Sequence, residues 1–322
     1  MSAEKATTTE KIAKGIAHSK LILIGEHAVV HGQPAIALPF PLVGVEATVE
    51  HVPGSIQLDS SFYHGPMTSV PSSLKGIANS VEATLDYLKL PAKDLLIQIK
   101  SSIPPGKGLG SSASVAIALV KSLFSYVGKQ YSKTELLNLA NIAETYNHGA
   151  PSGIDTLTIT SGSPVWFEKE HTACFIKPSD DFHFIVADSG RIGDTRTAVE
   201  SVANLLKKAP RKIQRKIERI GELTFQAKHA LEEAGKSFLG QMLNEAQKEL
   251  ESLGVSDAGL NRLIYFARQE GALGAKLTGA GNGGCIIALA QNEVHSRQLA
   301  EKLKQVGAQA VWPFVLSKQD GE

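Results

Sequence analysis

The chain has 322 residues, 43% of them hydrophobic and 20% charged, with a formal net charge of +1. That balance excludes a global field that would gather nucleic acid or an acidic membrane surface, and the length suits two domains or one large one. The only cysteines, Cys174 and Cys285, give neither a disulfide framework nor zinc-ligand spacing and suit a reducing, cytoplasmic setting.

Residues 1–14 are polar and mixed in charge, lack the apolar core of a signal peptide, and read as a loosely held tail. Residues 21–24 read as a buried strand that ends in Gly25-Glu26-His27. Charged residues at the tip of an apolar strand are well placed to line a ligand site. Equally, they suit a solvated turn in which Glu26 and His27 pair with each other. Strands at 42–49 and 95–100 flank a helix at 75–88, which carries Ile77, Val81, Thr84, Leu85 and Leu88 on one side.

The run Pro104-Pro105-Gly106-Lys107-Gly108-Leu109-Gly110-Ser111-Ser112 then joins the strand ending near Lys100 to a helix beginning near Ser111. Glycine lets backbone N–H groups approach a bulky anion with no Cβ in the way. The first turn of a helix adds unpaired N–H groups and partial positive charge. Together they make a phosphate cradle, and the two serines can cap the helix or reach a metal ion on the phosphate. The run is not a Walker loop, since no Gly-Lys-Ser/Thr follows the spacer. Taken alone, it also fits a glycine turn before a well-capped core helix.

A helix at 134–146 follows Ser132, a candidate cap, and leads into a turn-rich stretch at 148–153. Beyond a soft boundary near residue 180, residues 182–188 alternate as a strand and 195–269 hold three or four helices. Strands at 276–278, 285–290 and 311–316 follow, with a helix at 294–306 between the last two. Helices and short sets of strands in this order make an α+β protein with domains at 1–180 and 181–322. No apolar run is long enough to span a bilayer. The segment Lys276-Leu277-Thr278-Gly279-Ala280-Gly281-Asn282-Gly283-Gly284 contains Gly-x-Gly-x-x-Gly, but a strand follows it rather than a helix. The dinucleotide reading therefore fails, and a loop whose backbone approaches a ligand remains.

The order of three motifs is more specific than any one of them. Lys20 and Leu23 before Gly25-Glu26-His27, the Pro104–Ala113 glycine run, and Lys276-Leu277-Thr278-Gly279-Ala280-Gly281 together resemble the GHMP small-molecule kinase superfamily. Ala28-Val29-Val30 after Gly25-Glu26-His27 resembles its mevalonate kinase branch rather than the galactokinases. Asn282 departs from the glycine many relatives carry, though Asn tolerates positive φ better than most residues. The resemblance implies a GHMP kinase fold, with an N-terminal ribosomal-protein-S5-like domain and a C-terminal ferredoxin-like domain. It implies transfer of the ATP γ-phosphoryl group to the primary hydroxyl of mevalonate, with Mg2+ as cofactor. The resemblance also allows a homodimer, as family members often form, and neither nucleic acid nor membrane is expected as a partner.

The resemblance also implies roles for residues. Pro105, Gly106, Gly108, Leu109, Gly110, Ser111 and Ser112 would hold the phosphates, with Ser112 and Glu144 as the magnesium ligands. Asp155 matches the catalytic aspartate, able to act as general base toward the acceptor hydroxyl. Lys20 would sit beside it and steady developing negative charge. Glu26, His27, Thr278, Gly279 and Ala280 fall on the substrate side, with Glu26 and His27 bonded to substrate hydroxyls or Lys20. Arg196 would meet a substrate carboxylate with its guanidinium fork. Without the motif context, Glu144 is a solvated helix glutamate, Asp155 a cap, and Arg196 a surface charge. The same residues leave room for a kinase of phosphomevalonate or a sugar, with Arg191 as a further basic residue, or for a silent ligand sensor.

Overall fold

A computed structural model describes residues 12–148, 153–169, 172–233 and 235–318. The chain forms two compact units that interleave in sequence. The first takes the residues up to Ser19, Val43–Ile103 and Ser111–Thr160. The second takes Lys20–Leu42, Pro104–Gly110 and everything from Ser161 onward. This division does not coincide with the cut near residue 180 that the sequence suggests. The first motif and the glycine loop pack with the C-terminal residues although they stand early in the chain.

In the first unit, β1 (Ala13–Ile24) and β2 (Ala35–His51) supply their outer portions. β1 begins well before the expected strand at 21–24 and takes in Ala13 and Lys14, which the sequence assigns to a tail; residues 1–11 of that tail lie outside the described residues. Its inward positions are Ala13, Gly15 and Ala17, alternating with exposed Lys14 and Ile16. Small residues are required there, because a Cβ on Gly15 would run into the Ala118 carbonyl of α2 (Ser111–Tyr126). β5 (Leu95–Ser101) pairs antiparallel with β2, Val45 opposite Ser101, and parallel with β3 (Gln57–Ser60). β4 (Tyr63–Pro66) closes a hairpin on β3. Helix α1 (Lys75–Leu88) buries Ile77, Val81, Thr84, Leu85 and Leu88, the side the sequence marks as apolar.

α1, α2 and α3 (Lys133–His148) pack on one another. Ser132 and Glu135 form a reciprocal capping box at the start of α3: the Glu135 N–H donates to Ser132 Oγ at 3.2 Å, and the Ser132 N–H donates to Glu135 Oε2 at 2.6 Å. Residues 149–152 of the expected turn lie outside the described residues. α4 (Ile154–Ser161) follows, a helix absent from the sequence reading and rich in β-branched residues. Its Thr156 hydroxyl donates to Asn141 Oδ1 of α3 at 2.7 Å.

In the second unit the inner portion of β2 pairs with β6 (Val165–Phe167), and β7 (Cys174–Phe175) adds to β6. A four-stranded antiparallel sheet runs β11-β8-β10-β9, formed by β8 (Phe182–Asp188), β9 (Gly274–Thr278), β10 (Cys285–Leu289) and β11 (Ala310–Leu316). Its helices are α5 (Thr195–Lys208), α6 (Pro210–Glu232), α7 (Lys236–Ser252), α8 (Ala258–Gln269) and α9 (Glu293–Gln305). Ile185, Leu277 and Ile286 of the sheet share one core with Ile217, Leu250, Leu263 and Leu299 of the helices. Burial of that apolar surface is the main force holding sheet and helices together. Among the described residues, no helix is long and apolar enough to cross a membrane.

Candidate active site

The first motif, the glycines and the third motif meet within the second unit. β1 ends at Ile24, and Gly25-Glu26-His27 turns into a short 3-10 segment, Ala28–His31. Glu26 and His27 are both buried. They do not pair with each other, as the solvated-turn reading holds. Glu26 Oε1 accepts from Lys276 Nζ in an ion pair whose side chains are 2% and 0% exposed. His27 Nε2–H donates to the Ala280 carbonyl at 2.8 Å, which fixes the tautomer and leaves Nδ1 buried with no partner. Burial pushes the Glu26 carboxyl up, and Lys276 and then Lys20 oppose that shift. Burial likewise pulls Lys276 and His27 down.

The third motif runs from the end of β9 into the loop before β10. Its Thr278 hydroxyl donates to the Ile22 carbonyl of β1 at 2.8 Å. Thr278 and Ala280, expected on the substrate side, thus tie the first motif to the third through a hydroxyl and a carbonyl. Gly279 lies against Gly108 so closely that a Cβ on either would stand 3.0 Å from the other's Cα. Asn282 has φ +52, the left-handed conformation an Asn can take, and its N–H donates to the Val255 carbonyl at 2.8 Å.

The glycine loop is held along its length. The Gly193 N–H donates to the Gly106 carbonyl at 2.9 Å, and the Lys20 N–H donates to the Leu109 carbonyl at 3.3 Å. The Lys20 side chain is buried and crosses Gly110, where a Cβ would stand 2.9 Å from Lys20 Cε and Cγ. Gly110 also has φ +72, so a substitution there is strained in backbone and crowded by Lys20. The loop ends at Ser111-Ser112, the first turn of α2 in the first unit. Ser114 anchors that turn by donating to the His18 carbonyl at 2.9 Å.

Glu144 on α3 and Asp155 in the first turn of α4 also belong to the first unit. Glu144 is buried rather than solvated, and Asp155 is half-buried. A buried carboxylate on α3 and a serine hydroxyl on the helix packed beside it are hard oxygen donors of the kind magnesium takes. Among the described residues, no group of three or more His, Cys, Asp or Glu is placed to hold a metal ion. Magnesium bound through one or two protein oxygens plus phosphate fits that donor set. Arg196 is exposed in the first turn of α5, behind its N-cap Asp194, which accepts the Arg196 N–H at 3.0 Å. Gly193 packs against Gly281, so this helix starts beside the third motif.

Lys276 was given no role by the sequence, although it opens the third motif. Its signal is a lone charged residue in a short strand, and its partner stands 250 residues away.

Residues 73–163 match the GHMP kinases N terminal domain, and residues 227–309 match the GHMP kinases C terminal domain. The mevalonate kinase of Pyrococcus furiosus is 32% identical over 315 residues, covering 90% of this chain and 92% of that protein. The structure of L. major mevalonate kinase in complex with R-mevalonate matches at a TM-score of 0.82 and 25% identity, covering 99% of this chain and all of that one (100%). Mevalonate kinase from Staphylococcus aureus MRSA252 matches at 0.74 and 31%, covering 95% and 99%. The chain belongs to the GHMP kinase family. Curated mevalonate kinases match it at 30% identity or more over most of both chains.

Proposed function

We infer that the chain is a mevalonate kinase, transferring the γ-phosphoryl group of ATP to the primary hydroxyl of mevalonate to give 5-phosphomevalonate and ADP. The observation that carries this reading is the convergence of the glycine loop with the first and third motifs, seen in the approach of Gly108 to Gly279 and of Lys20 to Gly110. Phosphoryl transfer depends mostly on positioning and charge neutralisation. The backbone N–H groups of Gly108 through Ser112 hold the phosphates. Ser112 and Glu144 hold Mg2+, which when bound neutralises charge on the phosphate oxygens.

Asp155 accepts the hydrogen bond of the acceptor hydroxyl and takes its proton as the oxygen bonds to the γ-phosphorus and the bridging bond to ADP breaks. Lys20 steadies the negative charge on the transferring group. Arg196 binds the carboxylate of mevalonate. Glu26, held by Lys276, and His27, held by Ala280, shape the wall on the substrate side.

A phosphorylated acceptor would need a second cationic clamp. Arg191, the nearest candidate, is turned toward Asp257, with Nε 3.6 Å from Oδ2. The free thiols Cys174 and Cys285 suit a reducing cytoplasmic setting. ATP consumption measured across mevalonate, phosphomevalonate, homoserine and galactose tests the assignment. Turnover with mevalonate alone supports it, and turnover with another acceptor instead of mevalonate overturns it.

A further inference from the structure

Lys107 stands between two glycines of the phosphate loop, where a lysine is expected to reach for phosphate. Its ammonium is engaged elsewhere. Lys107 Nζ lies 2.7 Å from Asp188 Oδ1, the two side chains being 5% and 3% exposed. It also donates to the Arg191 carbonyl at 2.9 Å. Asp188 is a firm anchor. It ends β8 between Cys285 of β10 and Ala310 of β11, its carbonyl accepts the Gln309 N–H at 2.9 Å, and its Oδ1 accepts the Gly190 N–H at 2.8 Å. The Arg191 carbonyl also accepts the Gly284 N–H at 2.8 Å. Lys107 is therefore clamped to the end of a central strand, the 189–191 turn and the third motif loop.

We propose that Lys107 is a positioning residue, whose ammonium, bound by Asp188, staples the phosphate loop to the end of β8 and does not itself bind phosphate. The staple sits between the two backbone approaches that shape the loop, Gly193 on Gly106 and Gly279 on Gly108. Its charge is neutralised within the protein, so phosphate is left to the backbone N–H groups. The inference rests on the phosphate role given to the glycine loop above.

A double-mutant cycle on the full chain tests it, with Lys107→Met, Asp188→Asn and the double variant. ADP affinity is read by calorimetry, and KM for ATP and for mevalonate by kinetics. Each single change should weaken ADP binding and raise the KM for ATP by about tenfold, and the double variant should recover most of that loss. The KM for mevalonate should move much less. A lysine that bound phosphate would lose ADP affinity in Lys107→Met and in the double variant alike, while Asp188→Asn would keep or improve it; that pattern overturns the proposal. So does a fall in melting temperature with kinetics and ADP affinity unchanged. If the single variants fail to fold, the double variant, with no buried unpaired charge, decides: near-native ADP affinity supports the staple, and a tenfold loss refutes it. A wild-type chain that binds ADP but leaves mevalonate unphosphorylated would overturn the functional reading alone, since the ADP arm still reads the staple.

Discussion

Glu26 and Lys276 form an ion pair sealed from solvent, with side chains 2% and 0% exposed, and they join the first motif to the strand that opens the third. Burial disfavours both charges, and their contact offsets that cost only while both partners remain. Lys276→Met should therefore lower the unfolding free energy by about 3–5 kcal/mol, as breaking a buried pair does. Adding Glu26→Gln should restore a good part of it, because no buried charge is then left alone. Urea denaturation of the two variants checks this. A single variant as stable as wild type would show that the pair carries no charge worth compensating.

Asp155→Asn should abolish most turnover while leaving nucleotide binding nearly intact. The carboxylate lies in the first turn of α4, and the phosphates are assigned to the glycine loop. Loss of a general base costs roughly 10²–10⁴ in rate. Single-turnover kinetics and ADP calorimetry separate the two effects. A variant keeping more than about a tenth of the wild-type kcat would remove Asp155 from this role.

Arg196→Ala should raise the KM for mevalonate far more than the KM for ATP. The residue is exposed in the first turn of α5. A hydrogen bond to a charged group is worth about 1.5–3 kcal/mol, roughly 10- to 150-fold in apparent affinity. Arg196→Lys should recover only part, because a point charge cannot replace the fork. Unchanged mevalonate kinetics would transfer the role to another cation, with Arg191 the next to substitute.

The contribution of His27 to stability should fall as pH drops below about 6.5, the ordinary histidine range, while the raised Glu26 carboxyl works in the opposite sense. Burial holds His27 neutral in the folded chain, and His31 is shifted the same way. The unfolded chain takes up protons near pH 6.5 that the folded chain refuses, so unfolding gains with falling pH until the lowered folded values are reached. His27→Gln, which keeps a donor for Ala280, should flatten this slope below about pH 6.5. Parallel stability profiles for wild type and variant would mean that His27 takes no part in it.

The apolar stretches were legible as written. Helix α1 and strand β8 occupy the residues read from the sequence, α1 because its apolar side chains recur on one side and β8 because a short apolar run, Phe184–Ala187, is buried on both faces. The first half of β1 was not, since its inward face is Ala13, Gly15 and Ala17, a spacing of small residues set by the backbone of α2. β2 begins at Ala35 rather than near Leu42, and Pro39 and Pro41 hid its start by breaking the strand signal. The hairpin of β3 and β4 is short and partly polar, with too few residues to show a period. In the site, the glycines, Lys20 and Glu26 stood out by residue type and order. The partners that fix them did not. Lys276 for Glu26, Ala280 for His27 and Asp188 for Lys107 are tertiary contacts between distant segments, and nothing local in the chain encodes such a pairing.

The most direct test is phosphorus NMR of the product formed from ATP and mevalonate. The account predicts ADP and one new phosphomonoester whose phosphorus couples to two methylene protons, placing the phosphoryl group on the primary hydroxyl. Release of inorganic phosphate with mevalonate unchanged, or a phosphoryl group on any other oxygen, would contradict it.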